Sequence, residues 1–109
     1  MIIRVLEGTV DEHRAGAFTD YVRREALPRL REQPGLVYVK FGRQADSVHG
    51  YRFVLVTEWE TTTDLYRWLK GRPIDEPVAV EERKDWLTTH RVDHYEALDR
   101  DLAEPLDSG

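Results

Sequence analysis

The chain has 109 residues, no cysteine and a net charge of −5, with 40% hydrophobic and 34% charged residues. This length and composition fit one soluble globular domain, residues 1–109, in the cytoplasm; no apolar run suits a membrane span, no cationic leader suits export, and without cysteine there is no disulfide, thiolate nucleophile or cysteine–metal site. Nucleic acid is not an expected partner: Glu96, Asp99, Asp101, Glu104 and Asp107 against Arg100 place −4 in the last fourteen residues, leaving the rest near neutral with no basic stripe.

Ile2 to Gly8 reads as a strand with Ile2 and Leu6 on one side and Ile3 and Val5 on the other, so both faces need cover. Thr9 or Asp11 can cap a long helix to about Arg31, along which Ala15, Phe18, Val22, Ala26 and Leu30 form one stripe. Pro28 lacks a donor, which predicts a kink or break between Arg24 and Leu27, and Gln33-Pro34-Gly35 is a stop. Leu36 to Arg43 is a second strand, with Leu36 and Tyr38 opposing Val37, Val39 and Phe41. Polar residues Gln44 to Gly50, His49 among them, link it as a hairpin to Tyr51–Trp59, the most strand-like run in the chain. Phe53 and Leu55 oppose Val54 and Val56 there. Glu58 is the odd polar residue of that run: it either faces the sheet edge or pairs with Arg4 or Arg52.

Thr61, Thr62 or Thr63 can cap the next helix, whose Leu65, Trp68 and Leu69 share a face and which Gly71 and Pro73 end. Arg72 to Val80 holds two prolines and no regular element; Glu81 to Leu87 fits a short helix, Thr88 to Leu98 a last strand, and residues 100–109 a loose acidic tail. The order is the ferredoxin-like βαββαβ plan, an α+β fold with both main helices on one face of an antiparallel sheet. Such a sheet normally wets its far face, yet here both parities are apolar, which predicts a homodimer. On a strand, His90 and His94 stand about 13 Å apart and do not share a metal. No glycine-rich phosphate loop, G-x-S-x-G elbow or H-E-x-x-H pair is present.

Three stretches, LPRLREQPGLVYVKFGR at Leu27–Arg43, FVLVTEW at Phe53–Trp59 and HRVDHYEALD at His90–Asp99, resemble the antibiotic biosynthesis monooxygenase family. The resemblance covers nearly the whole chain and implies a dimeric α+β barrel. Haem-degrading members use an asparagine ending the first strand, a tryptophan in a WLKS-like segment and an axial histidine ten residues later. Trp68–Gly71, WLKG, matches the second, while Gly8 and Val78 stand at the other two positions.

The cofactor-independent quinol and polyketide oxygenases of the family imply instead a dry aromatic pocket, a base and oxyanion donors, with no cofactor. On that resemblance His94 and His90 are the candidate catalytic bases. Tyr51, Trp59, Trp68 and Trp86 are candidate pocket walls, and Arg52, Arg91 and Tyr95 candidate donors, for a small aromatic or quinol-type substrate. Two other functions suit the same fold: a non-catalytic dimeric binding or accessory protein, and a haem binder using His94 or His90.

Overall fold

A computed structural model describes residues 1–46 and 50–99; the expectations for His49 and the acidic tail at 100–109 lie outside the described residues. Strands β1 (Ile2–Val10), β2 (Leu36–Asp46), β3 (Gly50–Trp59) and β4 (Leu87–Glu96) form one antiparallel sheet in the order β2-β3-β1-β4. Strands β1 and β3, each with apolar residues on both parities, lie side by side in the middle, Ile2 opposite Trp59 and Val10 opposite Tyr51. Two strand–helix–strand units interlock, as the ferredoxin-like plan requires.

The first connection is helical from Glu12 to Arg31 but not uniform. Helix α1 (Glu12–Tyr21) passes through a π-helical turn (Val22–Ala26) into α2 (Leu27–Arg31). Pro28 has no N–H for the Arg24 carbonyl, and just before it the Leu27 N–H reaches back five residues to Val22. The expected break is thus a widened turn, which keeps Ala15, Phe18, Val22, Ala26 and Leu30 buried in one line. Asp11 occupies the cap position without a side-chain cap bond, and the Thr9 hydroxyl instead pairs with those of Thr88 and Thr89 on β4.

Helix α3 (Thr62–Leu69) starts where Thr61 Oγ1 accepts the Asp64 N–H at 3.0 Å. It ends at two left-handed residues, Lys70 (φ 52°) and Gly71 (φ 78°), so the reversal begins one residue before the glycine. The short helix beyond is a 3-10 segment, Val78–Trp86, interrupted at Val80 and Arg83. It begins three residues before Glu81, because Val78 and Val80 are its buried anchors.

Even-numbered residues of β1 and odd-numbered residues of β3 face the helices, where Leu6, Val10, Phe53, Leu55 and Trp59 meet Phe18, Val22, Leu30, Leu65 and Leu69. β2 breaks its expected alternation. A register shift between Leu36 and Tyr38 leaves Val37 unpaired with β3, so Leu36, Val39 and Phe41 all pack on the core. Ile3, Val5, Val54 and Val56 lie on the opposite face, over which no described helix packs, and are half-buried by their neighbours. Among the described residues no helix is long and apolar enough to cross a membrane.

Candidate functional site

One row of the helix-covered face is not apolar. Register places Arg4 of β1 between Thr57 of β3 and His94 of β4, and the alternation that buries Leu6 and Val10 buries Arg4 as well, to 1% exposure. Its guanidinium lies 5.2 Å from the centre of the Trp68 ring, and Trp68 stacks on Trp59 at 4.8 Å and 28°. The Trp59 indole N–H donates to Thr57 Oγ1 at 3.1 Å, satisfying both buried polar groups.

Arg4 is less well matched. Nη2 donates to the Glu76 carbonyl at 2.5 Å, and among the described residues Nε finds no partner and no carboxylate pairs with the guanidinium. Burial, and then the charge of Arg72, bring its pKa down to about 10, so it remains a cation at neutral pH. His94 Nε2 is likewise buried without a partner among the described residues. Burial first, then Arg4, lower the His94 pKa against the opposing pull of Asp93, which keeps the imidazole neutral at pH 7.

Trp68 also lines a hollow of about 330 Å³ between α2 and the end of α3. Ala26, Leu30, Val78 and Ala79 make its apolar wall, with Arg29, Lys70 and Arg72 at the rim. Two of those cations are held in place: Arg29 pairs with Glu82 at 2.5 Å, and Arg72 pairs with Glu81 while donating to the Leu69 and Trp68 carbonyls.

The candidate residues from the sequence therefore divide. Trp59, Trp68 and His94 gather around Arg4. His90, on the same face as His94 but exposed, borders a wide surface hollow of about 590 Å³ with Arg52, Arg91 and Gly8. Arg52, Arg91 and Tyr95, the last 54% exposed, project from the other face of the sheet. Tyr51 lies under Arg43 at 4.7 Å, and Trp86 lies between Arg14 and Arg83 at the 3-10 segment. Glu58 does not pair with Arg4, which points to the opposite face, nor with Arg52, six residues away along the strand; it stands between Ile3 and Tyr38.

Sequence reasoning misses Arg4 as a site residue, although a signal exists. It shares strand parity with Ile2 and Leu6, which puts a cation on the buried side.

The haem-degrading arrangement does not fit these residues. A Cβ on Gly8 would lie 2.8 Å from Phe53 Cε1 and 2.8 Å from the Thr89 carbonyl oxygen, leaving no room for an asparagine. Val78 is packed in the core, where it supplies no ligand.

No family model and no curated protein sequence matches the chain. Solved structures do. A candidate antibiotic biosynthesis monooxygenase of Nitrosomonas europaea superposes with a TM-score of 0.70 at 19% identity, over 91% of this chain and 100% of that one. A second, from Deinococcus radiodurans, gives 0.69 at 16% identity over 92% and 95%. The haem degrader MhuD of Mycobacterium tuberculosis, solved with two haems in its active site, gives 0.66 at 14% identity over 92% and 98%. The chain has the fold of the antibiotic biosynthesis monooxygenases, a fold that hosts more than one chemistry.

Proposed function

We propose that this protein is a cofactor-independent monooxygenase for a small aromatic or quinol-type substrate, bound against Trp68 and deprotonated by His94. The observation that carries the reading is the His94 imidazole, half-buried beside a cation, its pKa lowered, and its buried Nε2 without a partner among the described residues. A neutral imidazole accepts a phenolic proton, and a nearby guanidinium stabilises the phenolate that results. The electron-rich ring then passes one electron to dioxygen, recombination forms a carbon–oxygen bond, and the imidazolium returns its proton to the peroxide oxygen. Loss of water from the ring hydroperoxide leaves a carbonyl. A phenol and O2 thus become a quinone and water, the substrate supplying every electron.

The same reading makes the active unit a cytoplasmic homodimer joined through the uncovered sheet face. Ile3, Val5, Val54 and Val56 form its apolar centre, and Glu7, Arg52, Glu58 and Asp93 place both signs of charge around it. Protein interfaces of ordinary size bury about 800 Å² per partner, which a four-stranded face can supply. Sedimentation should give twice the 12.8 kDa of one chain, with Val56→Lys shifting it to one. A stable wild-type monomer at micromolar concentration would remove the dimer from this reading.

The function is tested by oxygen uptake on a panel of reduced naphthoquinols with metal-free, haem-free protein. One O2 should be consumed per substrate above autoxidation, and His94→Ala should lower the rate about 10²-fold or more. No uptake above background, or an unchanged rate in His94→Ala, defeats it.

A further inference from the structure

A buried guanidinium held only by one neutral carbonyl is an unfinished electrostatic arrangement. Removing such a charge from water costs several kcal/mol, and the cost is normally met by a carboxylate or a set of acceptors. Arg4 has neither among the described residues: it has the Glu76 carbonyl, an orphaned Nε and the Trp68 ring. The groups that approach it add positive charge or none, since Arg72 repels it and His94 is neutral. Glu76 belongs to the connection after α3, between Pro73 and Pro77, and its carboxylate turns to Lys84 at 3.5 Å. Its carbonyl thus supplies the partial negative charge that a full anionic oxygen would supply better.

The flat surroundings narrow the ligand. Trp68 offers an aromatic face next to the cation, backed by the fully buried Trp59 on which it stacks, and continues into the hollow rimmed by Arg29, Lys70 and Arg72. We propose that Arg4 is the receptor for an anionic oxygen carried on a flat aromatic ligand, a carboxylate or phenolate that replaces the Glu76 carbonyl and lies along Trp68. This deepens the monooxygenase reading by naming its substrate as an aromatic anion, and rests on that reading only for the chemical steps after binding. The shared chemistry is an ionised oxygen on a ring; which oxygen is used is left to the arms of the test.

The test is anaerobic titration of the whole protein with 2-naphthoate, its uncharged methyl ester, and 2-naphthol across its ionisation, followed by tryptophan fluorescence. Naphthoate should quench saturably, at least tenfold more tightly than the ester, and Arg4→Met should erase that preference. A carboxylate site prefers naphthoate at every pH; a phenolate site binds naphthol more tightly as it ionises. In the unsubstituted protein the Arg4 Nε–H resonance should move with naphthoate and stay with the ester, which keeps the test decisive if Arg4→Met does not fold. Equal binding of acid and ester together with naphthol binding that does not tighten on ionisation, absence of saturable binding by either anion, or an Arg4 resonance moved by neither anion overturns the proposal. Naphthoate binding without oxygen uptake on the quinol panel defeats the monooxygenase reading alone; uptake without anion preference defeats this one alone.

Discussion

The helix-covered face of the sheet ends in two different ways. At the Gly8 end, Phe53 packs on Phe18 with ring centres at 4.8 Å and on Phe41 at 6.5 Å, and the gap left among Val10, Ala15 and these rings is about 10 Å³, too small for a ligand. At the Thr57 end, the same pleat carries His94 and Arg4, the latter against Trp68, which in turn lines a hollow of about 330 Å³. Aromatic residues are abundant at both ends. What separates them is whether polar groups remain unmatched, and by that measure the phenyl end is finished and the tryptophan end is not.

The contrast between the two ends is most exposed to test at Phe53. Phe53→Ala should cost about 3–5 kcal/mol in chemical denaturation, as for other buried phenylalanines, while naphthoate binding per folded molecule stays unchanged. A large loss of binding with little loss of stability would mean that the phenyl end carries the function.

Gly8→Asn should cost about 1–3 kcal/mol by overpacking against the Phe53 ring and the Thr89 backbone, and haemin titration of it should show no sharp Soret change at one equivalent. Arg4→Met probes the other end with the opposite expectation. It removes a buried, incompletely matched cation and keeps a chain of similar shape, so the denaturation midpoint should hold or rise while anion binding falls. A collapse in stability of the size expected for Phe53→Ala would make Arg4 a structural residue.

The smallest effect is a pH dependence. Because the folded His94 pKa lies below its unfolded value, the unfolded chain takes the proton first as pH falls. The stability tied to neutral His94 is therefore complete above the unfolded value of about 6.5, declines below it and levels off under the folded pKa. Burial and Arg4 drive this shift and Asp93 opposes it, so His94→Gln should flatten the slope and Asp93→Asn steepen it in the wild-type background.

Much of the fold is legible in the sequence because it depends on period. The α1–α2 stripe follows from spacing and β3 from its run of β-branched and aromatic residues, whereas Thr88–Leu98 suits a helix extension or a strand by sequence and is the strand Leu87–Glu96. The β2 faces are not legible, since one bulge after Leu36 reverses the parity of everything beyond and leaves no mark in composition. The site is half-legible for a related reason. His94, Trp59 and Trp68 stand out by residue type, but residue type alone also groups Arg52, Arg91 and Tyr95 with them, and strand parity puts those three on the other face. Arg4 looks like an ordinary surface cation by type, and only its spacing from Ile2 and Leu6 implies burial.

Which end of the sheet face receives a ligand is reported directly by the three tryptophans. Two indoles, of Trp59 and Trp68, lie at the Arg4 end, and the third, of Trp86, lies at the 3-10 segment between Arg14 and Arg83. In an anaerobic titration with a reduced naphthoquinol, followed through the indole N–H resonances, those of Trp59 and Trp68 should move together and saturate while that of Trp86 stays fixed. Movement of Trp86 alone, or saturation with both Trp59 and Trp68 unmoved, would contradict the placement of the site around Arg4 and His94.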